Sequence, residues 1–279
     1  MNYKIVVDSC CDLTEEYRKD EHFVVAPLTL TVDGVDIVDD ETFDQKDFLR
    51  RVSESKECPH SACPSPERYL KEYENFTGDI YVVTLSAELS GSYNSAVVAR
   101  QMYEENGGKN SIHVFNSCSA SVGETLIALK VQELAQEGKS FEEVVELGEK
   151  FREEMTTHFV LESLETLRKN GRLTTMQAII AKTLNIKPIM KGTEKGTIEK
   201  VEQTRGMNKA LERMTELIAG MVENQDDKIL AIAQCNNMER ALYVKKLIEE
   251  KCHFKKILIF DTAGVSSMYA NDGGIIVCA

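Results

Sequence analysis

Three short stretches hold most of the groups that could do chemistry. "LSAELSGSYNSA" (85–96) places four serines and a glycine in twelve positions, after an apolar run and ahead of a helical pattern. "SACPSP" (61–66) sets Ser61 and Ser65 in a proline-stiffened loop, and "NSCSASVGE" (116–124) adds Ser117, Ser119, Ser121 and Gly123. A helix that starts at a strand's C-terminal end offers unpaired N–H groups and a positive dipole end. Ser90 and Gly91 would there supply a hydroxyl and bare backbone to an anion. Taken singly, each serine reads better as a helix cap. Taken together, three hydroxyl-rich loops at strand ends point to one shared polar pocket.

The same residues favour binding over catalysis. A serine nucleophile needs a base within reach, and of His22, His60, His113, His158 and His253 only His60 adjoins one of these loops. There is no G-x-S-x-G elbow, no phosphate-binding G-x-x-x-x-G-K-[ST] and no G-x-G-x-x-G after a strand. A serine-dependent hydrolase of acyl esters or acyl phosphates, with Ser90 as nucleophile and His60 as base, is the rival reading; it lacks an acid to orient the base. A nucleotide-binding regulator is a third. The eight cysteines contain no C-x-x-C pair and fit no zinc spacing. Neighbouring Cys10 and Cys11 therefore read as structural thiols in a reducing compartment, and neither metal nor cofactor is expected.

Those loops need elements to position them. The chain has 279 residues, 42% hydrophobic and 28% charged, with a net charge of −13. This is the profile of a globular protein with room for two domains, and its acidity argues against nucleic acid and anionic lipid surfaces as partners. No segment approaches the ~18 uninterrupted apolar residues of a membrane span. The N-terminus, too short in apolar residues for a signal peptide, runs straight into a strand pattern, so a cytoplasmic protein is expected.

"YKIVVDS" (3–9), "HFVVAPLTLTV" (22–32, broken near Pro27), "DIYVVTLS" (79–86) and "SIHVFNS" (111–117) read as strands. Helical patterns follow at 43–52, after Pro66, at 94–108 and at 120–136. The alternation predicts a mostly parallel sheet with helices on its faces. Asp33-Gly34 marks a hairpin turn, and Ser140 with Glu143 a capping box for a helix over 141–154. Beyond it, 158–163 reads as a strand, 187–205 as a hairpin around 194–196, 207–223 as an amphipathic helix, and 228–235, 255–262 and 274–278 as strands. The fold expected is α/β, with an N-terminal domain over 1–155 and a C-terminal domain with a mixed sheet over 156–279.

With these motifs in place, the sequence resembles the DegV family, the fatty-acid-binding subunits of bacterial fatty acid kinase systems. "VVDSCCDL" (6–13) is similar to that family's "DSxxDL", "SACPSP" to its "TSQPSP", and "LSAELSGSYNSA" to its "LSSxLSGTYxSA". "NSCSASVG" resembles "DSxxxSxGxG", "LESLETLRKNGRL" (161–173) resembles "LxxLxxGGRI", and "NIKPIM" (185–190) carries its "KPI". The motifs follow in family order along essentially the whole chain.

The resemblance implies two α/β domains with a long-chain fatty acid in an apolar tunnel between them, and a binding protein rather than an enzyme. It implies that Ser61, Ser90 and the amide of Gly91 hold the carboxylate, with Ser117, Ser121, Tyr269 and Asn271 as further head-group candidates. It also implies that Arg172 contacts the partner or the head group. The partner implied is a separate kinase that makes an acyl phosphate on the bound acid. From its place after Gly171, Arg172 is expected on an exposed loop. The sequence departs from the family at Ala62 and Asn170. At its C-terminal end "MYANDGG" stands for "HTGPG", with Ala270 on the histidine, so Tyr269 or Asn271 would have to supply a replacement donor.

Overall fold

Residues 2–173 and 185–279 are described by the structure, a computed structural model. The first half runs β1 (Tyr3–Asp8), α1 (Glu15–Arg18), β2 (Phe23–Ala26), β3 (Thr29–Val32), β4 (Val35–Val38), α2 (Gln45–Glu54), β5 (His60–Ala62), α3 (Pro66–Glu74), β6 (Asp79–Thr84), α4 (Ser92–Glu105), β7 (Ile112–Asn116), α5 (Val122–Gln136) and α6 (Phe141–Glu154). The second runs β8 (Thr157–Val160), α7 (Glu165–Lys169), β9 (Ile186–Gly192), β10 (Ile198–Arg205), α8 (Met207–Met221), β11 (Ile229–Gln234), α9 (Met238–Glu249), β12 (Lys256–Asp261), α10 (Gly264–Ala270) and β13 (Ile275–Cys278).

Strands β2-β1-β6-β7 form an all-parallel sheet. Its central strands are unbroken apolar runs because helices cover both faces. Tyr69, Tyr73, Ala96 and Ala99 pack on one side, and Ile127, Val131 and Val144 on the other. The second half builds a six-stranded sheet ordered β10-β9-β8-β13-β11-β12, antiparallel except for β11 with β12. Both halves are α/β, the first sheet parallel and the second mixed. Helix α5 is buried on nearly every side because it packs against β1 and β6 of the first sheet and β11 and β13 of the second. The two sheets share no strand, and their cores stay joined through α5.

Local chemistry sets several element ends as expected. Ser140 accepts from the N–H of Glu143 while the Glu143 carboxylate accepts from the N–H of Ser140, the reciprocal cap of α6. Asp33 and Gly34 both have positive φ, 50° and 74°, as a two-residue hairpin turn between β3 and β4 requires. Residues 22–32, read as one stretch broken near Pro27, are two strands in different sheets. Pro27 lacks the N–H to continue β2, and β3 instead pairs with β4 and β5 in a small antiparallel sheet. Strand β5, read as loop, is only three residues long, too short for a period-two signal. Among the described residues, no helix is long and apolar enough to cross a membrane.

Candidate functional site

The parallel strands β1, β6 and β7 all end at one edge of the first sheet, and three buried carboxylates tie the loops there together. Asp8 accepts from the N–H groups of Cys10 and Leu85, each at 3.0 Å, and from the hydroxyl of Ser92 at 2.6 Å. Asp12 accepts from the Ala263 N–H at 2.7 Å and from Ser121 Oγ. Asp39 accepts from the N–H groups of Gly264 and Val265 at 2.7 and 2.8 Å, capping α10. Burial pushes Asp8 up to about 6 and Asp12 up to about 7, and raises Asp39. Glu124 in α5 is raised well above the usual carboxyl range by burial, with Asp8 and Asp12 adding repulsion. Burial likewise raises the thiols of Cys10 and Cys11, so they are inert.

Between that edge and one face of the second sheet lies a narrow cavity of about 100 Å³. Thr157, Phe159 and Leu161 line one wall from alternate positions along the β8 segment. At roughly 3.3 Å of rise per residue, that wall runs about 13 Å. Leu28, Leu85, Leu89, Ile198, Val265 and Ile276 make most of the remaining surface apolar. Arg172 is the only Lys, Arg, His, Asp or Glu among the described lining residues.

The polar groups of the lining fall in two clusters. In one, Ser61 Oγ and Tyr269 Oη are 3.4 Å apart. Nearby, Arg172 Nε donates to the Leu89 carbonyl at 3.0 Å and its Nη1 to the Asn170 carbonyl. Ser90 Oγ accepts from the Ser92 N–H at 3.2 Å; among the described residues its own proton goes to no acceptor. Arg172 has no carboxylate partner among them either. A hydroxyl proton from the Ser61–Tyr269 pair, the Ser90 proton and the guanidinium therefore remain to meet an anion. Ser90 and Arg172 also border an outer surface groove with Gly91, Asn94 and Gly171. In the other cluster, Ser119 and Thr157 share a hydrogen bond of 2.7 Å beside Cys118, Gly192, Gly196 and Thr197.

Of the residues singled out in the sequence, Ser61, Ser90, Ser121, Tyr269 and Arg172 line the cavity. Gly91 lies on the outer groove. Ser117 is buried and donates to the Ser119 carbonyl at 3.0 Å, and it does not line the cavity. Asn271 turns its amide onto the carbonyls of Tyr269 and Ser163 and stays outside the lining. Ser121 lines the wall with its hydroxyl committed to Asp12. Arg172 is half-buried rather than on an exposed loop, drawn in by the Leu89 carbonyl. His60 is exposed; as the strand neighbour of Ser61 it points to the opposite face, away from Ser90. No His hydrogen-bonds Ser90 among the described residues. Sequence reasoning missed the wall given by Thr157, Phe159, Gly192 and Ile198. The period-two "THFVL" could have indicated its face, but not which sheet it would oppose. Among the described residues, no three His, Cys, Asp or Glu side chains are placed to hold a metal ion.

Fold and site together define an α/β protein with a narrow apolar cavity between two sheets and an anion-receptive end beside the surface. The chain belongs to the DegV family: the model of that family, described as an uncharacterised protein, matches residues 2–279. It is 35% identical to a DegV domain-containing protein of Streptococcus pneumoniae (strain ATCC BAA-255 / R6), over 99% of this chain and 98% of the relative. Among solved structures it is similar to a DegV family protein from Ruminococcus gnavus ATCC 29149 refined with vaccenic acid, with 53% identity, a TM-score of 0.97 and 99% of each chain covered. It is also similar to the Streptococcus pneumoniae Fatty Acid Kinase (Fak) B3 protein loaded with linoleic acid, with 33% identity and a TM-score of 0.89, over 100% of this chain and 99% of that one.

Proposed function

We propose that this protein binds a long-chain fatty acid, with its chain in the cavity and its carboxylate at the Ser61, Ser90, Tyr269 and Arg172 end. The observation that carries this reading is the lining itself: one cation and a few uncommitted hydroxyl protons beside a largely apolar cavity whose other hydroxyls on Ser119, Ser121 and Thr157 are committed to protein partners. Such a site matches a ligand with one negative head and a long hydrocarbon tail. Each buried CH₂ contributes about 0.8 kcal/mol, so the chain supplies most of the affinity and the head group sets its direction. The vaccenic acid and linoleic acid in the two similar structures support the same reading.

The finer assignments are part of the proposal. Gly91, on the outer groove, adds its backbone N–H where the head group reaches solvent. The protein acts as a carrier and not a catalyst, a reading supported by the lack, among the described residues, of a histidine hydrogen-bonded to Ser90. Its likeness to the Fak B3 protein supports presentation of the acid to a separate kinase for acyl phosphate formation. Residues 1–155 and 156–279 are its two domains, closing on the acyl chain from either side, and it works in the cytoplasm with its cysteines reduced. Lipid extraction and native mass spectrometry of the purified protein test the core claim: a stoichiometric fatty acid is expected. Protein that carries none, and takes up none when offered oleic or palmitic acid, overturns it.

A further inference from the structure

The six-stranded sheet has β10 at one edge and β12 at the other, and the two edges are built differently. Strand β10 reads IEKVEQTR, and its ladder with β9 shifts register between Lys200 and Glu202. Charges and bulges of this kind keep an edge from taking up a foreign strand. Strand β12 reads KILIFD, with four apolar residues in a row, no proline and an unbroken ladder with β11. Just past it the Thr262 N–H donates to the Gln234 carbonyl at 3.0 Å. In a parallel ladder of that phase Leu258 and Phe260 turn their N–H groups toward β11, and Ile257 and Ile259 turn theirs outward. Among the described residues no other strand pairs with that outer side. Beside it runs a groove of about 620 Å³, between α5 and α6 of the first half and β11 and β12 of the second. Leu126, Leu129, Phe151, Met155 and Leu258 make its floor apolar. Five lysine side chains line it against three acids, Glu133, Glu154 and Asp227, on a chain of net charge −13. Lys130 pairs with Glu133 at 2.6 Å, whereas Lys150, Lys228, Lys255 and Lys256 make no ion pair among the described residues. No residue lines both this groove and the apolar cavity.

We propose that β12 and this groove dock a short extended segment of a partner protein, apolar along its length and acidic at one end, which joins the sheet as a further strand. Its backbone pairs with the outward groups of Ile257 and Ile259. Its alternate side chains rest on the floor beside Leu258, and its acidic end meets Lys255 and Lys256, where β12 begins. The lysines favour such a partner over a second copy of this chain. Two β12 strands paired with each other would bring two sets of unpaired lysines to one surface. The carboxylate β12 itself offers is Asp261, which Gln234 already engages. Because the groove and the cavity are lined by different residues, the proposal stands whether or not the cavity holds a fatty acid.

The test uses a fluorescein-labelled, end-capped peptide, Val-Thr-Val-Thr-Val-Glu-Glu-Glu, and the same residues in reverse order, since the new strand can run either way along β12. Fluorescence anisotropy with the whole protein should show saturable binding of one order. The double variant Lys255→Glu, Lys256→Glu alters two exposed side chains and should weaken that binding about tenfold or more, while fatty-acid affinity stays unchanged. Raising NaCl from about 0.05 to 0.5 M should weaken it as well. Methylating alternate backbone nitrogens of the peptide leaves its charge intact and removes the ladder bonds, so binding should be lost in at least one of the two methylation phases. If neither peptide order binds the wild-type protein, the proposal fails. If both methylated peptides bind as tightly as the parent, charge alone holds the peptide and the strand addition is overturned. If sedimentation shows the wild-type protein as a dimer that Ile259→Asp breaks into monomers, a second copy occupies the edge and the partner reading is overturned.

Discussion

Ser61 Oγ and Tyr269 Oη stand 3.4 Å apart, joining the short strand β5 to the end of α10 at the mouth of the cavity. Two hydroxyls in contact use one proton between them and leave the other for a ligand. Ser61→Ala and Tyr269→Phe should each weaken fatty-acid binding, by about 1.5–3 kcal/mol if the bond to the carboxylate is the one removed. Because the two groups act as a pair, the double variant should lose less than the sum of the single ones. Isothermal titration of the three variants decides this, and strictly additive losses would show that the hydroxyls act independently.

Ser90 offers the simplest single test. Its oxygen is occupied by the Ser92 N–H and its proton is uncommitted among the described residues. Ser90→Ala should cost about 1.5–3 kcal/mol of binding with little change in thermal midpoint. Unchanged affinity in a folded variant would place the carboxylate away from α4.

Arg172 carries the only charge in the described lining, and its two contacts are to neutral carbonyls. The guanidinium is thus held in place without being neutralised. Arg172→Ala should reduce fatty-acid affinity about tenfold or more, and Arg172→Lys should recover only part of it, because a point-like ammonium lacks the planar fork of donors that spans separate acceptors. Phosphorylation of the bound acid by a partner kinase should fall as well, since Arg172 also borders the outer groove. Full affinity in Arg172→Ala together with slowed phosphorylation would assign it to partner docking alone.

The thiols give a chemical probe of the mouth. Cys63 is the exposed member of the eight cysteines, and its Sγ would lie 3.0 Å from a Cβ at Gly91. Cys10 and Cys11 are buried with raised pKa values. Maleimide should label Cys63 first, located by peptide mass spectrometry, and the adduct should lower fatty-acid affinity by crowding the head-group end. Labelling that leaves affinity unchanged would mean that the acid enters elsewhere.

Much of this arrangement was legible in the sequence, for identifiable reasons. Strands β1 and β6 are buried on both faces and so appear as unbroken apolar runs, and the cap at Ser140 and the turn at Asp33-Gly34 depend on neighbouring residues alone. The hydroxyl-rich stretches in the sequence contain Ser61 and Ser90, both of which line the cavity. The remainder depends on contacts between distant residues. Strand β5 exists because Ser61 pairs with Leu30, and Arg172 is drawn inward by a carbonyl 83 positions earlier. Ser117 and Asn271 resemble site residues in type and spacing, but local backbone carbonyls satisfy their side chains first.

Glu124 lies fully buried in α5, and neither carboxyl oxygen makes a close hydrogen bond among the described residues. Burial, with repulsion from Asp8 and Asp12, raises its pKa well above that of an ordinary glutamate, so the fold favours its protonated form. The unfolded chain ionises it near pH 4.3. Its contribution to stability is therefore complete below that pH and is lost as pH rises toward the folded value. Glu124→Gln keeps the shape and removes the titration. The variant should match the wild type near pH 4 and become relatively more stable as pH rises, by about 1.4 kcal/mol per pH unit while Glu124 stays protonated. Asp8, pushed up to about 6, and Asp12, pushed up to about 7, still titrate, so both proteins should lose some stability between about pH 4 and 7. Urea unfolding of both proteins across about pH 5 to 8 measures the difference. Parallel stability curves would mean that Glu124 is ionised in the fold and paired with a donor that offsets its burial.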